Sequence, residues 1–211
     1  MGDAASPERP ISRIQRKNRD AILSAALDLF SQHGFKGATL DQIAARAGLS
    51  KPNLLYYFAS KEEIHRTLLS GLLEQWLSPL KAISAKGEPL QELLDYMRRK
   101  LAMVRNHPRE SRIFSSEILL GAPHIQPILE GQVRSLVLEK AAILRDWMER
   151  GLIARCEPVH LIFAIWTLAQ QYADYGLQFR VVMEDSYDPY HEAEVFLEQM
   201  LRRMLRPRPQ W

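Results

Sequence analysis

The feature that most constrains this chain is its period. Almost every long segment sets its apolar residues three and four apart, and no segment alternates apolar with polar residues as a strand would. Over 15–33, Ile22, Ala25, Ala26, Leu29 and Phe30 share one face, and Gly34 follows where a helix of that kind ends. An all-α fold is the expectation. Thr39 followed by Gln42 reads as a capping box for a short helix over 40–47 that stops at Gly48. Ser50 caps the next, over 51–58, with Pro52 in the first turn, where a missing N–H does no harm. Ser60 caps a fourth, from 61 to about 85, with a kink or an end expected at Pro79. Further helices are expected over 89–106, 108–120, 126–150, 158–183 and 190–205, with a loop over 185–189 and a Pro-Arg tail.

Composition narrows the class. The single cysteine, Cys156, rules out a disulfide within the chain and fits a reducing, cytoplasmic setting. Residues 1–10 lack the apolar run of a signal peptide, and the most apolar stretch, 161–169, is too short to span a bilayer. The formal net charge is only +3, so its placement matters more than its size. Arg9, Arg13, Arg16, Lys17 and Arg19 crowd the N-terminus, which reads either as a phosphate-neutralising arm or as a solvated tail. The expected organisation is a flexible basic arm over 1–14, a helix-turn-helix domain over 15–62, and a ligand-binding and dimerisation domain over 63–211. No flexible linker separates the last two, so their boundary falls inside the fourth helix.

The stretch 39–58 holds two short capped helices with Gly48 and Leu49 in the turn. Ile43, Ala44, Ala47, Leu49 and Leu54 supply a small core. In a helix-turn-helix the second helix enters the major groove and the first crosses the backbone. The second helix here would present Ser50, Lys51, Asn53, Tyr56 and Tyr57. Asn can pair with adenine edges, Lys can read guanine or phosphate, and Ser and Tyr hydroxyls bond phosphate oxygens. Thr39 and Lys61 each stand at a helix N-terminus, where backbone N–H groups already favour an anion. A three-helix module of this kind can also serve protein contacts.

The run TLDQIAARAGLSKPNLLYYFASKEE over 39–63, preceded by AILSAALDLFSQHGF over 21–35, closely resembles the DNA-binding domain of the TetR family of bacterial regulators. The resemblance implies phosphate contacts by Thr39, Tyr56 and Lys61. It implies base or phosphate contacts from the segment Ser50, Lys51, Pro52, Asn53, Tyr56 and Tyr57. It further implies a homodimer on a palindromic double-stranded operator, with half-sites about 34–36 Å apart. The dimer would form through the last two long helices, whose stripes are Leu161, Ile162, Ile165 and Leu168, and Phe196, Met200 and Met204. Those stripes can equally be intramolecular core.

Trp166 and Gln170 lie one helical turn apart, so they face the same way, and Trp76 adds a second indole. An aromatic wall with an amide suits a planar, amide-bearing ring. A core tryptophan beside a glutamine that caps a buried carbonyl would leave the same pattern. Three segments resemble the pyrimidine-utilisation branch of the TetR family: WLSPL over 76–80, GAP over 121–123, and HLIFAIW over 160–166 running on to QQYAD over 170–174. That resemblance implies that Trp76, Trp166 and Gln170 hold a uracil- or thymine-like effector. The chain departs from it at Ser115 and Ser116 and in the loop over 183–190, so a dihydropyrimidine, a purine or another cyclic ureide fits as well. A TetR-type repressor of drug efflux is the alternative, with a wide aromatic pocket.

No catalytic constellation stands out. The six histidines show no metal spacing, and no phosphate loop or nucleophile elbow is present, so neither an enzyme nor a cofactor or metal protein is expected. Glu117 and Asp174 read as buried carboxylates with cap, ion-pair or ligand roles, and Cys156 as a passive loop thiol.

Overall fold

The computed structural model describes residues 12–183 and 187–207. Most of the expected basic arm, including Arg9, part of the 185–189 loop, and Trp211 lie outside the described residues. Every regular element among the described residues is helical. In chain order they are α1 (Arg13–Gly37), α2 (Leu40–Arg46), α3 (Lys51–Tyr57), α4 (Lys61–Lys81), α5 (Pro89–Asn106) and α6 (Pro108–Leu119). There follow α7 (Gln126–Ile128), a π-helical segment (Leu129–Val133), α8 (Arg134–Glu149), α9 (Pro158–Asp174), α10 (Gly176–Met183) and α11 (Pro189–Leu205). Two compact units divide within α4, between Leu68 and Leu69.

The first unit forms as its caps dictate. Ser12 opens α1 with a capping box closed by Gln15, so Arg13 and Ile14 are helical and α1 starts two residues before the sequence expectation. Gly34 adopts φ +71° inside α1, which breaks the helix there for a last short turn. Gly48 takes the same left-handed φ in the turn between α2 and α3, where a side chain would be strained. Ile22, Ala26, Phe30, Ile43, Leu54 and Phe58 are buried, whereas Ala47 and Leu49, expected in this core, are only half-buried. The Arg46 guanidinium pairs with Asp28 at 2.9 Å and ties α2 to α1.

In the second unit α9 is central and packs against α5, α6 and α8, while α11 covers α5. Pro79 stands inside α4, which runs two residues beyond it and ends at Lys81, short of the 85 expected. The carbonyl of Gln75 loses the N–H that residue 79 would have donated, and the Ser78 hydroxyl donates to it instead at 2.8 Å. The segment expected as one helix over 126–150 is continuous but carries the π turn. The helix expected over 158–183 breaks at Tyr175, and α10 restarts at Gly176. Arg98 on α5 reaches Asp95, Glu194 at 3.0 Å and Glu198, locking α11 onto α5.

The apolar stripes on α9 and α11 divide. Leu161, Ile162 and Ile165 are buried inside this chain, with Leu168 half-buried. Phe196 and Met204 are exposed, and Val195 and, on α9, Phe163 join them. The α9 stripe read from the sequence is thus largely core, because that side of α9 packs within the unit, while His160, Phe163, Ala164 and Thr167 form its exposed face.

Candidate functional site

On the first unit, Thr39, Ser50, Lys51, Pro52, Asn53 and Tyr56 are all exposed, and Tyr57 and Lys61 are half-buried. The burial of Leu54 fixes the rotation of α3, so the polar flank from 50 to 56 must face outward. The Thr39 and Ser50 hydroxyls each accept a backbone N–H of their own helix, from Gln42 and Asn53; the Thr39 O–H donates to the Gln42 side-chain carbonyl at 3.0 Å, and the Ser50 O–H is left for an outside acceptor. Lys51 pairs with Asp41 at 2.9 Å.

The two tyrosines are held from behind by α1. The side-chain carbonyl of Gln15 accepts the Ser12 N–H, and its amide donates to the Tyr56 hydroxyl at 3.2 Å. Asn18 donates to the Tyr57 hydroxyl at 2.9 Å, leaving each phenol free to donate onward. Arg19 lies over the Phe58 ring at 4.3 Å. Sequence reasoning took Arg19 for arm charge and passed over Gln15 and Asn18. Their positions on the polar face of α1 were the available signal.

Lys61 behaves unlike an isolated phosphate ligand. Its ammonium donates to the carbonyls of Phe35 and Ala38, both at 2.8 Å, and lies 4.5 Å from the Phe35 ring. It closes the end of α1, and one N–H of the three remains.

The second unit brings Trp76, Trp166 and Gln170 into one cluster. The Phe114 ring lies 6.2 Å from Trp76 and 6.1 Å from Trp166, near-parallel to both. Lys100, which sequence reasoning missed, is fully buried here. Its Nζ sits 4.2 Å from the Trp166 ring and 5.5 Å from that of Trp76, and donates to the Trp76 carbonyl at 3.3 Å. Burial pushes its amine down to about 7. Its only signal in the sequence was a lysine in line with Leu93, Met97 and Val104 on the apolar face of α5.

Gln170 does not cap a carbonyl. Its amide nitrogen donates toward Ser111, Ser115 at 2.9 Å and the Asp174 carboxylate at 2.9 Å. An ionised carboxylate only accepts, so Asp174 fixes which end of the amide faces it. The Gln170 Oε1 therefore points the other way, and it is buried without a partner. The Trp76 Nε1–H and the Tyr96 hydroxyl are likewise buried without partners. Each such group costs about 1–3 kcal/mol. Burial raises the Tyr96 phenol well above its ordinary range, so it stays neutral. Glu117 accepts the His124 N–H at 2.7 Å and holds the turn in which Gly121 and Ala122 both take positive φ. A separate open groove of ≈480 Å³ runs beside Ser78, Arg99, Met103 and His107, and neither tryptophan nor Gln170 lines it.

Residues 22–67 match the family described as bacterial regulatory proteins, tetR family, and residues 69–208 match the YcdC-like protein C-terminal region. The HTH-type transcriptional regulator RutR of Escherichia coli O157:H7 is 44% identical over 195 residues, 92% of this chain and 90% of its own. The chain belongs to the TetR family. The RutR protein of strain K12 is 43% identical over the same share of each chain. Among solved TetR-like folds, AibR in complex with isovaleryl coenzyme A and operator DNA superposes with a TM-score of 0.70 at 18% identity, covering 90% of this chain and 100% of that one. The ketosteroid transcriptional regulator KstR2 of Mycobacterium tuberculosis gives 0.69 at 20% identity, covering 89% and 95%. At those identities the two share the fold alone. This TetR-family chain is a ligand-responsive, DNA-binding transcriptional regulator. No helix among the described residues is long and apolar enough to cross a membrane.

Proposed function

We propose that this TetR-family regulator acts as a cytoplasmic homodimeric repressor of pyrimidine catabolism, released from a palindromic operator by a uracil- or thymine-like effector. Residues 15–62 read DNA through Thr39, Ser50, Lys51, Pro52, Asn53, Tyr56, Tyr57 and Lys61, aided by the basic residues that precede them. Residues 63–211 sense and dimerise. The exposed apolar side chains Leu177, Val181 and Val182 on α10 and Phe196 on α11 support a second copy as their cover, since water-facing patches of this kind are uncommon on a monomer.

The observation that carries the effector reading is the pair of buried, unpartnered atoms beside the stacked rings: the Trp76 Nε1–H and the Gln170 Oε1. A planar ring bearing both a carbonyl and an N–H satisfies both while its faces meet indole. Such a ligand must part Phe114 and Lys100 from the tryptophans as it enters. It switches the protein only if it binds one state better than the other. The test is operator binding by fluorescence anisotropy at fixed salt, with and without uracil, beside thermal unfolding. Uracil should raise the melting temperature and weaken operator binding. Release by lipophilic drugs, with no response to any pyrimidine, would favour the efflux alternative.

A further inference from the structure

Lys100 is fully buried, and no carboxylate among the described residues pairs with it. A buried cation without a counter-ion is resolved either by losing its proton or by gaining an anion. The amine rests at about 7, so both routes are open near neutral pH. The surrounding helices bring few other charges. Asp174 on α9 is engaged by Gln170 and Ser115, and Glu117 on α6 by His124. Tyr96 on α5 stays neutral. Trp76 is the side chain α4 brings, and it adds a carbonyl, a ring face and an N–H. The cluster therefore offers an incoming ring two donors, from Lys100 and Trp76, and one acceptor, Gln170 Oε1.

We propose that Lys100 makes the effector site a selector for acidic cyclic imides, held as the imide anion against its ammonium. The proton leaves the ring N–H flanked by two carbonyls and arrives on Lys100 Nζ, so the complex gains or loses none when the amine starts neutral. The anion's carbonyl–nitrogen–carbonyl edge takes the Lys100 and Trp76 donors. The second ring N–H donates to Gln170 Oε1. This rests on the pyrimidine reading above, and adds that ring acidity as well as ring shape decides which pyrimidine acts.

The test uses the full-length protein with 5-fluorouracil, a near-isostere of uracil whose imide proton is more acidic. Fluorine NMR of the bound ligand across pH should show its ionisation about one unit or more below that of the free ligand. In Lys100→Met this shift should vanish. The wild type should bind 5-fluorouracil about five-fold more tightly than uracil, because its more acidic imide proton is removed at lower cost, and Lys100→Met should level the two. Should Lys100→Met fail to fold, the wild-type titration decides. Binding of both ligands with no lowered ionisation overturns the role of Lys100 and leaves the pyrimidine reading intact. Binding of neither overturns both.

Discussion

The two units treat polarity in opposite ways. On the first, most of the side chains proposed to meet DNA are exposed, and most already have a partner: Lys51 has Asp41, Tyr56 has Gln15, and the half-buried Tyr57 has Asn18. On the second, Trp76, Lys100 and Gln170, proposed to meet the effector, are buried and Trp166 is half-buried, and two key atoms have no partner: Trp76 Nε1 and Gln170 Oε1. A surface that reads DNA can keep its donors in water until binding. A pocket for a small ring must hold polar atoms out of water beforehand, at a cost in stability. Substitutions at the second site should therefore move stability strongly, and those at the first should move affinity with stability nearly unchanged.

The sharpest challenge is Trp76→Ala. It empties a fully buried indole position and should lower unfolding free energy by about 3–5 kcal/mol in urea titration. A loss comparable to that of an exposed alanine variant would break the contrast. Lys100→Met comes next, with the opposite sign. The amine's folded value, about 7, lies below its ordinary 10.5, so the unfolded chain binds more protons between those limits. Wild-type stability should rise with pH through that window. The methionine variant should be more stable by about 2 kcal/mol at pH 7, a gain that shrinks by pH 9.5 in thermal or urea unfolding.

At the first unit, Asn18→Ala should cost operator binding about 1 kcal/mol by freeing the Tyr57 hydroxyl, with little change in melting temperature. Lys51→Ala is the gentlest. Its exposed ion pair contributes little, so stability should hold within about 0.5 kcal/mol. Operator affinity should weaken, and its salt slope should fall by about one per protomer. If stability drops and the slope does not, Lys51 is structural and the contrast blurs.

The asymmetry also explains what could be read in advance. The caps at Thr39 and Ser50, the turn at Gly48 and the faces of α1 through α3 are local, and each rule there acts over three or four residues. At Pro79 the N–H missing from the ladder is made up by another local group, the Ser78 hydroxyl, and α4 ends two residues on. Tyr175 misled because the break in the long apolar helix carries no proline, and only Gly176 marks it. The α9 stripe could be read either as core or as dimer surface, because a helical period says that a face is buried without saying by what.

The sequence alone determined the all-helical class, the caps at Thr39 and Ser50, the exposed polar flank of α3 and the shared side of Trp166 and Gln170, since these follow from spacing along one helix. Tertiary structure decided the rest. It set Lys100 from α5 beneath indoles from α4 and α9, placed Phe114 from α6 beside both rings, and turned the Gln170 oxygen away from Asp174. It also drew the Lys61 ammonium onto the end of α1. Those arrangements join residues tens of positions apart, and their energies depend on desolvation, which exists only once several helices have closed around one point.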